Sequence, residues 1–532
     1  MYSRKFLSPE IIPRRYQLEI VSSAIDNKST LAVLPTGTGK TLVALMLMDH
    51  ALQNSGRQIV MLAPTKPLAE QHAKSITGLL MGAPKEFDAA AETALITGEI
   101  AKKKRQELWK KRIAICTPQT LRNDLESGLA MDIGLCVFDE AHRAIGNYAY
   151  TKVADYCKGI SSHVLGLTAS PGGDAEKIQE ILQALAITHV EIRSEQDIAE
   201  FIPKAERQWV FVELTERMKQ GKRILDEMMR EKAAVFRAFG FRGPLGSKKY
   251  IISLFPQIRE RNKIPLFMAY SHLIHLMHLS DLLETQGGTI CVEYIGKLRA
   301  QTERKGLQRL VNDGRIVRLE RMLEGEPKHP KLLKLVEMVR AQPKEKIIVF
   351  VQFRRQIELI VEELWQFGVT AHKFVGKKEL SQKKQQEILE RFRNNEFQVL
   401  VSSSIGEEGL DIPSADTVIF YEPVPSEIRS IQRRGRVART RPGSIIYLIA
   451  KATKDEAFYW SAHNKERKMR GLLQGMRKKT EPQSTVTGYG FRVASIVPET
   501  IAVPGSELQV PKPETRNPKL KNGQMTLGDY LG

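Results

Sequence analysis

The sequence has few cysteines and no long apolar run. Its 532 residues include four cysteines and no Cys-x-x-Cys pair, which argues against a zinc ribbon and against a disulfide framework. Every apolar run falls short of the about 18 residues that mark a transmembrane helix. The first ten residues, MYSRKFLSPE, lack the apolar stretch of a secretory signal. We therefore expect a reduced, cytoplasmic protein with no membrane partner.

Acidic residues are outnumbered by basic ones. There are 81 Lys and Arg against 61 Asp and Glu, a net charge of +20, which favours a polyanionic partner over a merely basic surface. The excess is concentrated in residues 216–325, which carry 21 basic and 12 acidic side chains and few strand-like runs. This segment predicts a basic helical insert that contacts nucleic acid. The alternative is a set of helices whose charged faces are simply solvated.

On either side of this insert, short apolar runs alternate with helical stretches. STLAVLP, QIVMLAP, RIAICTP, GLCVFDE and HVLGLTA come before it, and KIIVFVQF, FQVLVSSS, ADTVIFYE and GSIIYLIA come after it. Such runs, each followed by a turn and a helix, are typical of buried parallel strands. The pattern predicts an α/β fold with two parallel-sheet domains. The expected division is residues 1–205 for the first domain, 206–325 for the insert, 326–475 for the second domain and 476–532 for a flexible basic tail.

The segment LPTGTGKT (34–41) follows the first predicted strand and precedes an apolar helix. Gly37 and Gly39 would let backbone N–H groups turn toward phosphate, Lys40 would reach the β- and γ-phosphates, and the Thr41 hydroxyl would hold Mg²⁺. Leu34 stands where the strict phosphate-loop pattern has glycine. A glycine-rich turn without ligand is the alternative, which Gly-Lys-Thr at a helix start makes the weaker one.

A second apolar strand ends in two acids about 100 residues later, in GLCVFDEAH (134–142). Asp139 could hold Mg²⁺ through water, and Glu140 could orient and deprotonate the attacking water. Together with the phosphate loop, this pair predicts hydrolysis of a nucleoside triphosphate with bound Mg²⁺. Farther along, IQRRGRVART (431–440) places Arg436 and Arg439 on one helical face, where they could stabilise the γ-phosphate or simply face solvent.

The order and spacing of nine such segments resemble the superfamily 2 DEAH-box helicases over about residues 10–475. Beside the phosphate loop and DEAH, they are PRRYQ (13–17), APTKPLAEQH (63–72), TPQTL (117–121), LTASPG (167–172), VFVQFR (349–354), SSSIGEEGLDIP (402–413) and QRRGRVAR (432–439). Within that superfamily, VFDEAHRAIGNYAY, SQKKQ (381–385) and IGEEGLDIP resemble the archaeal Hef and Fanconi anaemia group M helicases. The resemblance implies two RecA-like domains around a thumb-like insert that grips branched DNA.

The resemblance also implies roles for individual residues. Gln17 would bond the adenine edge and Arg14 would stack on its face. The remaining roles are phosphate-loop contacts to ATP by Thr36, Gly37, Thr38, Gly39, Lys40 and Thr41; nucleotide contacts by Gly409 and Asp411; γ-phosphate contacts by Gln432 with Arg436 and Arg439; DNA-backbone contacts by Thr65, Lys66, Thr117 and Ser403; and coupling of the two ligands by His142 and Thr168.

The archaeal family often continues into a nuclease domain with a Glu-Arg-Lys-x-x-x-Asp signature. This chain contains Glu466, Arg467 and Lys468, but Leu472 stands at the position of the acid. We interpret the match as a coincidence and expect a protein that unwinds or remodels DNA without cutting it. A nuclease would then be a separate partner chain.

The segment QMTLGDYLG at the end of the sequence resembles the peptide that binds the sliding clamp (PCNA). Leu527, Tyr530 and Leu531 would form an apolar plug on one helical turn, and Gln524 would hydrogen-bond beside it. The alternative is an amphipathic tail that packs on its own domain. With the clamp, the expected setting is the nucleoid and the expected task is repair of replication forks.

Two other functions stay open from the sequence. One is an RNA helicase or double-stranded RNA translocase, because such motors hold mainly the phosphate backbone. The other is a clamp-recruited scaffold with a vestigial ATPase. The intact residues Lys40, Asp139, Glu140 and Arg439 argue against it.

His272, His275 and His278 recur every three residues, and we interpret them as helix-core histidines in preference to metal ligands.

Overall fold

The computed structural model of the chain describes residues 2–81, 87–201, 205–325, 328–376, 379–403, 412–424, 426–434 and 443–480. These residues form two parallel-sheet domains and a helical segment, which confirms the predicted fold class. None of the helices in these ranges is long and apolar enough to cross a lipid bilayer.

The first domain contains a seven-stranded parallel sheet. Its strands are β1 (Ser29–Val33), β2 (Gln58–Leu62), β3 (Thr93–Ile96), β4 (Ile113–Cys116), β5 (Ile133–Asp139), β6 (His163–Thr168) and β7 (His189–Ile192), in the order β3-β4-β2-β5-β6-β1-β7. The five predicted strands are the five interior ones, which are almost fully buried. The two that the sequence did not predict, β3 and β7, lie at the sheet edges and are only partly buried.

Eight α-helices cover this sheet among the described residues. They are α1 (Arg15–Asp26), α2 (Lys40–Asn54), α3 (Lys66–Leu79), α4 (Ala89–Glu92), α5 (Lys102–Leu108), α6 (Pro118–Glu126), α7 (Ala149–Gly159) and α8 (Ala175–Ala184), with 3₁₀ turns at Ala141–Arg143 and Ala199–Phe201. Helix α2 has buried residues on all sides because it packs between the sheet and α1.

The second domain contains a six-stranded sheet. Its strands are β8 (Ala205–Val212), β9 (Ile347–Phe350), β10 (Ala371–Phe374), β11 (Val399–Ser402), β12 (Thr417–Phe420) and β13 (Gly443–Ala450), in the order β10-β11-β9-β12-β13-β8. The described helices around it are α16 (Pro330–Arg340), α17 (Arg354–Gln366), α18 (Gln382–Arg393), α19 (Glu427–Arg434) and α20 (Lys454–Thr480).

The insert starts later than the expected residue 206, because residues 205–212 form strand β8 of the second domain. This strand precedes the insert in the chain but pairs in parallel with β13 along its whole length, from Ala205 with Gly443 to Val212 with Ala450. The sequence AERQWVFV did not indicate a buried strand, because an exposed edge strand keeps polar residues on both faces. The tail also starts later than the expected residue 476, because α20 continues to Thr480.

Residues 216–325 are helical, as predicted. The segment comprises α9 (Glu216–Ala238), α10 (Lys248–Ser253), α11 (Phe255–Arg261), α12 (Ile264–Thr285), α13 (Gly288–Arg299), α14 (Lys305–Val311) and α15 (Gly314–Glu324). Apolar residues occur around most of α12, which is therefore buried along α9 and α13. The three histidines of α12 lie in this packing: His272 Nε2 is 2.8 Å from the Gly306 carbonyl oxygen and His275 Nδ1 is 2.7 Å from the Tyr294 hydroxyl, while His278 packs edge-on against the Tyr294 ring.

Polar contacts fasten this helical segment to the second domain. Glu284 at the end of α12 accepts a hydrogen bond from the Lys454 backbone N–H (2.8 Å), and Asp281 pairs with the Lys454 ammonium group. Arg355 of α17 reaches Glu293 of α13 at 3.0 Å. The insert is therefore held against the start of α20 and against α17.

Candidate functional site

The strand order divides the predicted site residues of the first domain into two groups. Lys40 follows β1, Asp139 ends β5 and Thr168 ends β6, and these three strands are neighbours. Thr65 and Thr117 follow β2 and β4, which are neighbours on the other side of β5. The carboxyl ends of parallel strands share one edge of a sheet, where α/β proteins bind their ligands. The predicted ATP residues and DNA residues therefore occupy adjoining halves of one edge.

The phosphate loop has the backbone that an anion site needs. Gly37 and Gly39 have φ angles of 78° and 80°, a conformation that glycine adopts without strain. Gly39 caps the start of α2, where free N–H groups and the helix dipole favour phosphate. Leu34 departs from the phosphate-loop pattern because it is the continuation of β1: its N–H donates to the Thr168 carbonyl (3.0 Å) and its side chain is fully buried.

Gln17, predicted to bond an adenine edge, is engaged within the chain. Its Oε1 accepts from the Arg14 backbone N–H (2.8 Å), and its Nε2 donates to the Thr38 carbonyl oxygen (3.0 Å). The Tyr16 hydroxyl donates to the same carbonyl (2.6 Å). Helix α1 therefore holds the phosphate loop in place. The Gln17 side-chain amide still has one N–H and one oxygen lone pair with which it could bond an adenine, as predicted. The Arg14 guanidinium lies over the Phe201 ring at 5.6 Å.

Asp139 is held from two sides at the end of β5. Its Oδ2 is 2.8 Å from His72 Nε2, and its Oδ1 accepts from the Glu140 backbone N–H (3.0 Å). The Tyr150 hydroxyl donates to the Asp139 carbonyl oxygen at 2.5 Å. Both His72 and Asp139 are almost fully buried. These contacts fix the carboxylate at the edge of the sheet, beside the phosphate loop.

Glu140 has the ionised carboxylate that its predicted role requires. Burial alone would raise its pKa, but His142, Lys40 and Arg143 together lower it to about 2. The residue has a φ of 50°, in the left-handed region, so its side chain leaves the strand direction at a sharp turn. Such a turn costs free energy and is typical of functional sites.

The two residues predicted to couple nucleotide and DNA are in contact. His142 Nδ1 is 3.2 Å from Thr168 Oγ1 and 3.3 Å from Glu140 Oε2. Thr168 Oγ1 also accepts from the Ser170 backbone N–H at 3.1 Å. A contact path thus runs from the predicted water-orienting acid, through His142, to the turn that follows β6.

The residues at this edge fit a magnesium ion bound with a nucleotide. Oε2 of Glu140 is buried, and His142 Nδ1 lies 3.3 Å from it, which leaves room for a water or ligand to complete the site. One carboxylate, Asp139, and one hydroxyl, Thr41, are the oxygen donors expected when phosphates and water supply the other ligands. Within the described ranges no three His, Cys, Asp or Glu side chains form a metal cluster.

The predicted DNA contacts lie at the starts of helices. Thr65 precedes α3 and its hydroxyl is buried without a hydrogen-bond partner among the described residues. Lys66 Nζ lies 2.5 Å from Glu99 Oε2, which raises the pKa of Lys66. Thr117 precedes α6 and hydrogen-bonds Thr120 Oγ1 at 2.9 Å. In the second domain, the Ser403 backbone N–H donates to the Phe374 carbonyl just after β11 (3.0 Å).

Several predicted residues lie outside the described residues. They are Gly409, Asp411, Arg436, Arg439 and the clamp-peptide residues Gln524, Leu527, Tyr530 and Leu531, together with the side chain of Gln432. Helix α19, which leads into residues 435–442, is described and carries Arg434. The predictions for these positions stay predictions.

Helix α20 joins the two domains beside α19. Arg434 pairs with Glu466 of α20 at 2.8 Å, and both side chains are largely buried. On the first domain, Ser170 Oγ lies 2.9 Å from Met469 Sδ, and a Cβ added at Gly173 would meet the Lys465 carbonyl oxygen at 2.7 Å. The turn after β6 therefore contacts the same helix that holds α19. Glu466, the first residue of the nuclease-like Glu-Arg-Lys, is engaged in this ion pair.

Sequence reasoning missed four residues that shape the site. His72 stood inside the segment APTKPLAEQH, and only its place six residues after Lys66 on one helix hinted at a contact with the sheet edge. Tyr150 stood at the end of the segment VFDEAHRAIGNYAY but had no role assigned to it, and Phe201 had no motif to mark it. Glu466 was considered only as part of a nuclease signature, since its partner Arg434 is 32 residues away.

Two family models match the chain. The DEAD/DEAH box helicase model matches residues 14–178, and the helicase conserved C-terminal domain model matches residues 330–441. The first range contains the phosphate loop and DEAH, and the second covers most of the second domain.

Named relatives and a solved structure agree with these matches. A protein of Methanocaldococcus jannaschii, provisionally named an ATP-dependent RNA helicase, is 39% identical over 88% of this chain and 62% of its own length. An ATP-dependent DNA helicase of Neurospora crassa is 30% identical over 95% of this chain and 46% of its own length. The crystal structure of the Pyrococcus furiosus Hef helicase domain is 38% identical, with a TM-score of 0.67 over 86% of this chain and all of that domain.

This chain therefore spans 46 to 62% of the length of these two curated relatives, and the whole of the solved helicase domain. The strand order, the phosphate loop and the DEAH turn agree with that helicase fold. The chain belongs to the DEAD/DEAH box helicases and has the two RecA-like domains of the Hef helicase domain.

Proposed function

We propose that this protein is an ATP-dependent DNA helicase or translocase that unwinds or remodels forked and branched DNA during replication-fork repair. The observation that carries the proposal is the shared sheet edge of the first domain. There the His72–Asp139 hydrogen bond joins the helix that starts with Lys66 to the acid at the end of β5. A motor needs such a connection between its polymer contacts and its nucleotide site.

The hydrolytic step follows from the positions of the side chains. Lys40 and the N–H groups at the start of α2 would bind the phosphates, and Asp139 with Thr41 would hold Mg²⁺, which neutralises phosphate charge when bound. Glu140, ionised and with His142 3.3 Å from its Oε2, would orient the attacking water. Arg436 and Arg439 would complete the site from the second domain, with Gln432 beside them.

Preference for forks is assigned to the basic helical segment 216–325. Its net charge of +9 and its attachment to α17 and α20 through Arg355 and Lys454 support this role. A basic element fixed to one motor domain would move with that domain and hold the junction. Binding to phosphates by this route should weaken steeply with salt.

Recruitment by the sliding clamp is proposed from the C-terminal peptide of Gln524, Leu527, Tyr530 and Leu531. The 43 residues between α20 and this peptide would link the motor to the clamp and raise its effective concentration at a clamp-loaded fork. A titration of purified clamp with the parent chain and with Tyr530→Ala tests this. Equal affinities would contradict it.

A separate nuclease would act on the branched products, since Leu472 replaces the acid of the nuclease signature.

An RNA-directed motor is the second candidate, because the Methanocaldococcus jannaschii relative carries that name. The DNA-helicase names of the fungal relatives and the clamp-like peptide support DNA. Both candidates share the ATP site, so the polymer that stimulates hydrolysis separates them.

The test is the ATPase rate at one fixed salt concentration, measured with single-stranded DNA, a model fork, a four-way junction, and RNA of matched sequence. We expect forks and junctions to stimulate the rate above linear DNA and RNA. Stimulation by duplex RNA alone would contradict the proposal. Lys40→Ala is the control, because it removes the phosphate-binding ammonium group and should abolish the rate with every polymer.

A further inference from the structure

A row of aromatic rings crosses the second sheet and ends at an exposed edge. The rings of Phe420 on β12 and Tyr447 on β13 stack with centroids 4.7 Å apart and planes 21° apart. Trp209 on β8 continues the row, 6.2 Å from Tyr447 with planes only 13° apart. Phe420 and Tyr447 are buried, whereas 44% of Trp209 is exposed. The outermost ring of the row is thus partly exposed on the edge strand β8.

A cavity of about 250 Å³ opens beside this row, between the sheet and α20. Tyr459 of α20 closes one side, edge-on to both Trp209 and Tyr447. The volume falls below the about 300 Å³ at which pockets for whole drug-sized ligands begin, so it suits a single planar ring system. Aromatic faces of this kind stack on nucleic-acid bases without sequence preference.

The charged side chains of the cavity point to a polyanion. Arg207, Arg434, Arg467 and Arg470 line it, against the one acid Glu466. The outer face of α20 continues this charge with exposed Lys468, next to Arg467. Glu466 pairs with Arg434 and Arg470, and Glu195, outside the cavity, pairs with Arg207 and Arg470. Four arginines against these two acids leave the surface basic. A phosphate backbone running along α20 would place one base at the Trp209 face.

We propose that this aromatic cavity is an accessory site for single-stranded nucleic acid, in which an unpaired base stacks on Trp209 and its neighbouring phosphates contact the arginines of α20. The base must be unpaired, because inside a duplex the neighbouring base pairs cover both faces of a base. The site is separate from the predicted motor contacts at Thr65, Lys66, Thr117 and Ser403, which follow strands β2, β4 and β11. It rests on the proposed function in one respect: at a fork, the strand bound here would be a single-stranded arm.

The test compares binding of two DNA forks without ATP at fixed salt, one with single-stranded arms and one with fully duplex arms. Trp209→Ala should weaken binding of the single-stranded arms by about 5- to 100-fold, the range expected from the loss of one base stack. Duplex arms should bind Trp209→Ala as they bind the parent. Trp209→Phe, which keeps a stacking ring, should restore most of the affinity.

Trp365→Ala is the matched control. Trp365 is exposed by 58% on α17 of the same domain and lies outside the aromatic row, so its loss should leave binding of both forks unchanged. Equal affinity of Trp209→Ala and the parent for the single-stranded arms would overturn the proposal, and would favour a protein-docking role for the aromatic row.

A crosslinking measurement keeps the proposal testable if Trp209→Ala fails to fold. Oligo(dT) containing 4-thiothymidine should crosslink in the parent protein to peptides with Trp209 or Tyr459. Crosslinks confined to other peptides would overturn the proposal. Failure of the proposed fork preference can be told apart from failure of this site. In that case oligo(dT) would still crosslink at Trp209, but the ATPase rate would not be higher with forks than with linear DNA.

Discussion

His72 Nε2 lies 2.8 Å from Asp139 Oδ2, and both side chains are at least nine-tenths buried. His72 is on α3, whose first residue Lys66 is a predicted DNA contact, whereas Asp139 is the predicted magnesium acid. A shift of α3 on the polymer would therefore act directly on the carboxylate at the nucleotide site. The hydrogen bond joins the two halves of the sheet edge directly.

The first prediction concerns this hydrogen bond. His72→Ala should lower DNA-stimulated ATP hydrolysis by about 10- to 100-fold, as loss of an outer partner of a metal-binding carboxylate commonly does. Hydrolysis should also need more Mg²⁺ to reach half its maximal rate. The measurement is a magnesium titration of the ATPase rate. His50→Ala on α2, where His50 contacts Asn54, is the control, and an equal effect of both variants would contradict the prediction.

The second prediction concerns the phosphate loop. A Cβ at Gly39 would lie 2.5 Å from Gln17 Nε2, at a backbone φ of +80° that side chains rarely adopt. Gly39→Ala should therefore displace Gln17 from the Thr38 carbonyl and abolish ATP binding. Gly56→Ala is the control, because a Cβ at Gly56 meets nothing within 4 Å. Binding of a fluorescent ATP analogue measures both variants, and unaltered binding by Gly39→Ala would contradict the prediction.

The third prediction concerns the link between α19 and α20. Glu466→Gln removes the charge that pairs with the largely buried Arg434, and breaking a buried pair costs about 3–5 kcal/mol. Since α19 leads to Arg436 and Arg439, we expect a lower kcat for stimulated hydrolysis at an unchanged affinity for ATP. Glu337→Gln on α16, with a 68% exposed side chain, is the control. A normal kcat for Glu466→Gln would show that this ion pair does not position α19.

The fourth prediction concerns stability against pH. Burial raises the pKa of Glu422 from 4.5 to about 7. Between those values the folded protein holds a proton that the unfolded chain has released, so the free energy of unfolding should fall as pH rises from 4.5 to 7. Glu422→Gln, which stays neutral, should flatten this dependence. Urea unfolding at pH 5, 6, 7 and 8 measures it. A parent and variant with the same slope would contradict the prediction.

Much of the fold could be predicted because interior parallel strands are uniformly apolar. The runs around Leu31, Val60 and Val349 are buried on both faces, so their sequences indicate strands without any long-range information. Edge strands do not give this signal. Strand β8, with Arg207, Gln208 and Trp209 in sequence, is half solvated and owes its place to pairing with β13, a strand more than 200 residues away.

The candidate site shows the same division. Lys40, Asp139 and Glu140 stand in local motifs whose spacing reflects one turn after one strand, and the structure brings them to one edge. The His72–Asp139 and Arg434–Glu466 contacts depend on the packing of distant elements. No spacing within a single motif encodes such pairs, so they emerge only when the helices have been placed on the sheets.

The most direct test of the whole account is strand separation on a labelled fork with single-stranded arms, compared with a linear duplex of the same sequence. The parent protein should separate or remodel the fork with ATP, at a rate well above that on the linear duplex, and Glu140→Gln should bind the fork but leave it intact. Equal activity on both substrates, or fork separation by Glu140→Gln, would contradict the claim that this chain is an ATP-driven motor directed to forked DNA.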